Sequence, residues 1–131
     1  MVAGGPARRY HEGMNRARLK AVVKGDAEFT LDLICGHWKI PILIELHDGP
    51  RRTGELVRAL EGVSKNRLND ALRGLRHAGL IRRRNYPGKV PRVEYELSAL
   101  GDALCPIVVD LYKWGVQNRR RVERSWVLRG S

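Results

Sequence analysis

Acidic residues are scarce in this chain. Its 131 residues include 14 aspartates and glutamates against 25 lysines and arginines, a formal net charge of +11. Cysteine is scarcer still. Cys35 and Cys105 are the two present, they lie far apart, and no C-x-x-C occurs. That excludes a disulfide framework and fits a reducing compartment. Clustered His/Cys ligand spacing is missing as well, so no metal and no cofactor is expected. No apolar run approaches the roughly 20 residues a membrane-spanning helix needs. The leader MVAGGPARRYHEG has no apolar stretch of signal-peptide length. The expectation is a soluble cytoplasmic protein without a membrane partner. Catalytic signatures are absent too: the sequence contains no G-x-G-x-x-G, P-loop, H-E-x-x-H or G-x-S-x-G, and its four histidines and 14 acids fall in no recognised catalytic spacing. An enzyme is therefore not expected.

What the chain does have is a concentrated positive block. Residues 51–92 carry twelve lysines and arginines against three acids, net +9, while the segments on either side are each net +1. A field of one sign confined to 42 residues attracts a polyanion, and nucleic acid is the commonest one. The bland alternative is a solvated face that only keeps the protein soluble.

The block also has a shape. Thr53 suits a helix N-cap with Glu55 in the first turn, and that helix runs to about Leu60, with Leu56, Val57 and Leu60 facing inward. Glu61-Gly62-Val63 turns the chain. Ser64 caps the next helix, in which Leu68, Leu72 and Leu75 recur at i, i+4 and i+7 with Ala71 beside them, and Ala78-Gly79 ends it. Two amphipathic helices across a short turn form a helix-turn-helix pattern. Leu80 to Tyr86 and Arg92 to Leu97 then read as two strands around the turn Pro87-Gly88-Lys89-Val90-Pro91, a hairpin wing with a lysine at its tip.

Flanking segments read as support. Residues 1–7 look mobile, and 8–24 have helical potential broken by Gly13, reading equally as a basic arm or a frayed leader. A helix is expected from Asp26 to Cys35 with Phe29, Leu31, Leu33 and Ile34 apolar. A second runs from Lys39 to His47 and is apolar nearly all round, hence central; Pro41 is tolerated only in its first turn. Ser98 caps a long C-terminal helix whose apolar residues exceed what a small core can bury, which points to a subunit seam at Leu104, Ile107, Val108, Leu111 and Trp114. The tail RRRVERSWVLRGS reads as poorly ordered. The expected fold is α+β: a mainly α winged helix-turn-helix with a two-stranded β-hairpin wing and a long C-terminal dimerisation helix. The expected organisation is an arm over 1–25, the winged domain over 26–115, and the helix end with a basic tail over 116–131.

Several motifs together resemble the HxlR-type winged-helix transcription regulators, relatives of the MarR group. They are Leu31-Asp32, Gly36 with Trp38-Lys39, Gly49-Pro50 with Glu55-Leu56, Val63-Ser64 with Leu68, Leu72, Leu75 and Gly79-Leu80, and Pro91-Arg92-Val93-Glu94-Tyr95. The resemblance covers about Asp26 to Gly115. It implies a sequence-specific double-stranded DNA-binding regulator, a repressor acting as a homodimer on a palindromic operator, with release by a small-molecule effector as a further element. In that family a cysteine followed by proline often precedes the first core helix, and some members use it to sense electrophiles or oxidants. Here the aligned position is Gly25, followed by Asp26, so that route is in doubt. Cys35 and His37 also depart from the family pattern.

With Leu68, Leu72 and Leu75 inward, the outward residues of the second motif helix form the candidate reading set: Ser64, Lys65, Asn66, Arg67, Asn69, Asp70 and Arg73. Arginine forks onto guanine and asparagine pairs with adenine; Asp70 accepts from cytosine or orients Arg67 or Arg73. His77 is taken as a surface residue beyond this set. Arg51, Arg52, Thr53, Arg82, Arg83, Arg84, Lys89 and Arg92 are the candidate phosphate and wing contacts. Phe29, Cys35, His37, Trp38, Tyr112 and Trp114 form a candidate effector pocket, with plain aromatic core and interface as the competing reading. Among nucleic-acid roles, the rival is a constitutive architectural or RNA-binding winged helix.

Overall fold

The computed structural model describes residues 16–130, with side chains from residue 25 onward. The expectations for residues 1–15 lie outside the described residues. The chain divides into two compact units, with the break between Cys35 and Gly36.

In the first unit, one helix, α1, spans Arg16–Ile34. The break expected before Asp26 is not there. Gly25 sits inside the helix, so Asp26 and Glu28 lie in its middle rather than at a capping end. A single glycine costs a helix only about 1 kcal/mol, which its neighbours tolerate. Thr30 Oγ1 donates to the Asp26 carbonyl at 3.1 Å.

The second unit is built around α2, Lys39–His47. Ile42, Leu43 and Leu46 are fully or almost fully buried, and α2 touches every other helix of this unit and the sheet. The strand β1, Arg51–Arg52, leads directly into α3, Thr53–Ala59. Thr53 is therefore the first residue of α3 and not its cap, and the cap position falls to Arg52. The helix start is held instead by Glu55, whose Oε1 accepts the Arg52 N–H at 2.7 Å. Leu56 and Leu60 are buried and Val57 half-buried. Helix α4, Lys65–His77, begins as read: Ser64 Oγ accepts the Arg67 N–H at 3.2 Å. Leu68, Ala71, Leu72 and Leu75 form its inward stripe. Gly79 ends it at φ +77°, a left-handed conformation that favours glycine.

The wing comprises β2, Ile81–Tyr86, and β3, Arg92–Leu97, paired antiparallel from Ile81↔Leu97 to Tyr86↔Arg92. The two-stranded hairpin is present, and β1 extends it into a three-stranded sheet in the order β1-β3-β2. β1 adds to the free edge of β3 through Arg51↔Tyr95 and Arg52↔Glu94. A two-residue strand has no alternation to read, so only the pairing reveals it.

Helix α5, Ala99–Leu128, is 30 residues long. Ser98 caps it, accepting the Gly101 N–H at 3.0 Å. The tail expected to be poorly ordered is helical as far as Leu128. Val108, read as part of the subunit seam, is 0% exposed and belongs to the protomer's own core, as does Cys105. The residue spacing explains the correction: Gly101, Cys105 and Val108 lie on one face at i, i+4 and i+7.

Cys105 Sγ lies 3.9 Å from the Leu43 carbonyl, and burial pushes its pKa up, with the nearby Asp102 charge adding to the effect. Thiolate is the reactive form. A thiol reagent is therefore expected to label exposed Cys35 in the native protein and to reach Cys105 only after denaturant is added. Prompt labelling of both thiols in the folded state would contradict this packing.

Candidate nucleic-acid interface

The outward face of α4 carries Lys65, Asn66, Arg67, Asn69, Asp70 and Arg73, all exposed, with Ser64 just ahead of them. Ser64 is engaged in capping. Asp70 Oδ1 and Arg73 Nη1 lie 3.0 Å apart, so the acid orients Arg73 rather than Arg67. An exposed pair of this kind contributes little stability, roughly 0.2–1 kcal/mol. Its consequence is geometric: the Arg73 guanidinium lies beside the Asp70 carboxylate on the outward face of α4.

The wing presents two different faces. Arg82, Arg84, Tyr86, Arg92, Glu94 and Glu96 share the outer one, while Arg83 pairs with Tyr95 in the alternate register. Glu96 lies 3.0 Å from Arg82 and 3.4 Å from Arg84, and its side chain is only 15% exposed. Arg92 Nε lies 3.6 Å from Glu94 and its guanidinium sits over the Tyr86 ring at 4.7 Å, with Arg84 near the same ring at 5.8 Å. The outer face is thus a row of cations set against two half-buried carboxylates and an aromatic ring. Lys89 is exposed in the turn.

β1 joins this surface to the helix-turn-helix. Arg51 donates to the Pro50 carbonyl at 3.0 Å. Glu55 is held below the usual carboxylate range, first by the Arg52 backbone hydrogen bond and then by the charges of Arg52, Arg51 and Arg58. Arg52, Thr53 and Arg92 line one open cavity of about 660 Å³ with Tyr86 and Val90. Residues placed apart in the sequence reading, at the start of the first motif helix and in the wing, are therefore neighbours. A second cavity, of about 620 Å³, lies between the end of α4 and the start of β2 and brings Arg73, Arg82 and Arg83 together with Arg76 and His77.

A family model described as HxlR-like helix-turn-helix matches residues 33–123. The chain belongs to that family. It is 40% identical over 88 residues to the uncharacterized HTH-type transcriptional regulator YkvN of Bacillus subtilis, covering 67% of this chain and 75% of that one. It is 37% identical over 111 residues to an uncharacterized HTH-type transcriptional regulator of Halalkalibacterium halodurans, covering 81% and 98%. Among solved structures it is similar to the redox regulator HypR in its reduced form, at 36% identity and a TM-score of 0.72, covering 76% of this chain and 98% of that one. This HxlR-like protein is a DNA-binding transcription regulator with a winged helix-turn-helix, a role without catalysis. Among the described residues no helix is long and apolar enough to cross a membrane, and no group of three or more His, Cys, Asp or Glu is placed to hold a metal ion.

The regulator's remaining candidate residues are distributed as follows. On α5, Leu104 is half-buried, and Ile107, Leu111, Tyr112 and Trp114 are exposed. Tyr112 and Trp114 line an open groove along α5 that continues through Val116 and Val122 to Trp126. Phe29 and Cys35 are exposed on and just after α1. His37 and Trp38 touch each other, with ring centroids 4.8 Å apart, and the buried indole N–H of Trp38 has no hydrogen-bond acceptor among the described residues. Tyr86, the helical order of α5 as far as Leu128, and the approach of Arg76 and His77 to the wing were not anticipated from the residue order. An aromatic beside a run of arginines was the available signal for the first. For the last there was none, because it depends on where β2 leaves α4.

Proposed function

We propose that this HxlR-like regulator binds a palindromic duplex operator as a homodimer in the cytoplasm, and represses by occupying the promoter. One observation carries the reading: α5 extends about 45 Å at 1.5 Å per residue, yet its buried residues end at Val108. Beyond that point Leu111, Tyr112, Trp114, Val116, Trp126, Val127 and Leu128 stand exposed. An exposed apolar surface of this kind along a helix marks a subunit contact. A second copy covers it. The seam then consists of Ile107, Leu111 and Trp114 with half-buried Leu104, extended toward Trp126.

Dimer symmetry places two α4 helices in successive major grooves about 34 Å apart. In each, Lys65, Asn66, Arg67, Asn69 and Arg73 face base edges. Arg51, Arg52, Thr53 and the wing residues Arg82, Arg83, Arg84, Lys89 and Arg92 hold phosphate, with Lys89 at the wing tip nearest the minor groove. Tyr112 and Trp114 support the seam by lying on its groove. Small-molecule release would act through His37 and Trp38, since Gly25 stands where the family's sensing cysteine is usual.

Selection of bound duplexes from a random pool tests the reading, repeated with candidate metabolites. An inverted repeat with half-sites about one helical turn apart, retained over RNA of the same sequence, is the expected enrichment. Light scattering at micromolar concentration should give a dimer. Ile107→Glu with Trp114→Glu should give a monomer with weakened operator binding. A wild-type monomer, or equal retention of RNA, overturns the proposal.

A further inference from the structure

We propose that Arg76, His77 and Arg83 form a seat for one DNA backbone phosphate at the wall of the major groove. The seat rests on the duplex-binding reading and adds Arg76 and His77, which that reading does not use.

The first support is charge balance. The cavity between the end of α4 and the start of β2 is lined by Arg73, Arg76, His77, Ile81, Arg82 and Arg83, and no acid is among them. Arg73 is held by Asp70, and Arg82 by Glu96. Among the described residues, no ion pair satisfies Arg76 or Arg83. A cation in the last turn of a helix is favoured by its dipole, which accounts for Arg76 alone. It does not account for Arg83, which arrives from the next strand and adds like charge to the same concavity. An oxyanion relieves that repulsion, and guanidinium groups fork onto phosphate oxygens.

The second support is phase and length. Asn66, Asp70, Arg73 and His77 follow at intervals of four, three and four, so they share one face of α4. Asn66 and His77 are eleven residues apart, roughly 16 Å along the helix axis. The major groove is about 12 Å wide. When the N-terminal end of α4 reads base edges, its C-terminal end has reached the sugar–phosphate strand that bounds the groove. The cavity sits at that end, with His77 on the same face as the reading stripe, Arg76 on its flank and Arg83 arriving from β2.

The test uses the full-length protein and its selected operator, with binding followed by fluorescence anisotropy over a salt series. For Arg76→Ala with Arg83→Ala, the slope of log K against log salt should become shallower by about 2, one phosphate contact being lost in each half of the dimer. The loss should be the same on the operator and on a scrambled duplex, because a phosphate contact carries no base information. The Arg76→Lys with Arg83→Lys variant should restore the slope, which separates lost charge from lost folding. A scan of single methylphosphonate substitutions should find one phosphate in each half-site whose neutralisation weakens wild-type binding and leaves the double alanine variant unchanged. An unaltered slope, or no such phosphate, overturns the seat while leaving duplex binding intact. Tight binding of inorganic pyrophosphate to the free protein through these arginines, with an unaltered DNA salt slope, would reassign the seat to a soluble anion and overturn the backbone assignment. Wild-type protein that binds no duplex overturns both readings together.

Discussion

Operator affinity is expected to fall by ~10³–10⁵ when salt rises from 50 to 200 mM, the response of a protein that neutralises six to ten phosphates. The expectation begins with the block at residues 51–92, which carries twelve cations against three acids. Bulk charge alone does not set the slope, because a cation already held by a carboxylate contributes less to counterion release. The structure separates the two kinds. Arg82, Arg84 and Arg92 lie against Glu96 and Glu94 on the outer face of the wing, and Arg73 lies against Asp70. Arg51, Arg52, Arg58, Lys65, Arg67, Arg76, Arg83 and Lys89 make no such pair among the described residues. Doubled across a dimer, that second group suffices for the expected range. The check is an anisotropy titration at several salt concentrations. Binding that stays flat would remove the electrostatic basis of the interface.

Gly101→Ala is expected to destabilise the protein by about 1–3 kcal/mol or more, a drop in Tm of roughly 5–20 °C for a domain near this size. Here α5 is drawn tightly against the junction between α4 and β2. The Ser98 N–H donates to the Leu80 carbonyl at 3.0 Å, and the Ser98 hydroxyl donates to the Gly79 carbonyl at 2.6 Å. A Cβ on Gly101 would overlap the Leu80 carbonyl oxygen and press on the Leu97 side chain at 3.3 Å. Alanine's better helix propensity offers at most about 1 kcal/mol in return. Steric overlap wins because the obstacle is backbone, fixed by those two hydrogen bonds and by the sheet. Gly25→Ala supplies the contrast: α1 is helical there, and a Cβ meets nothing within 4 Å. It should raise Tm slightly in the same circular dichroism melts. If the two substitutions behave alike, the close approach of α5 to Leu80 is not as described.

The legible parts of the chain were those written in local periodicity. The stripe Leu68, Leu72, Leu75 gave α4 its inward face and thereby its outward one, since rotation about a helix is set by spacing alone. Ser64 and Gly79 marked its ends through capping chemistry that acts within a few residues. The alternation of Val93, Tyr95 and Leu97 marked β3. Central α2 was visible because apolar residues on all sides have no other place to go.

Elements that depend on partners distant in the chain were misread or missed. The pair Arg51–Arg52 became a strand because β3 offers a free edge. Thr53, a good cap by type, lost that place when β1 ran straight into α3. Val108 looked like interface because its helix carries more apolar residues than a small core needs, and which of them face inward depends on how α5 docks against α2. The arginines of the wing show the division most plainly. Their number, their charge and their confinement to one stretch follow from residue order, and so does the polyanion they attract. Which of them are held by Glu94 and Glu96, and which stand unpaired beside Arg76 and His77, follows from strand register and from the angle at which β2 leaves α4. Charge is a property of each residue wherever it lies, whereas pairing is a matter of distances that exist only once the chain has folded.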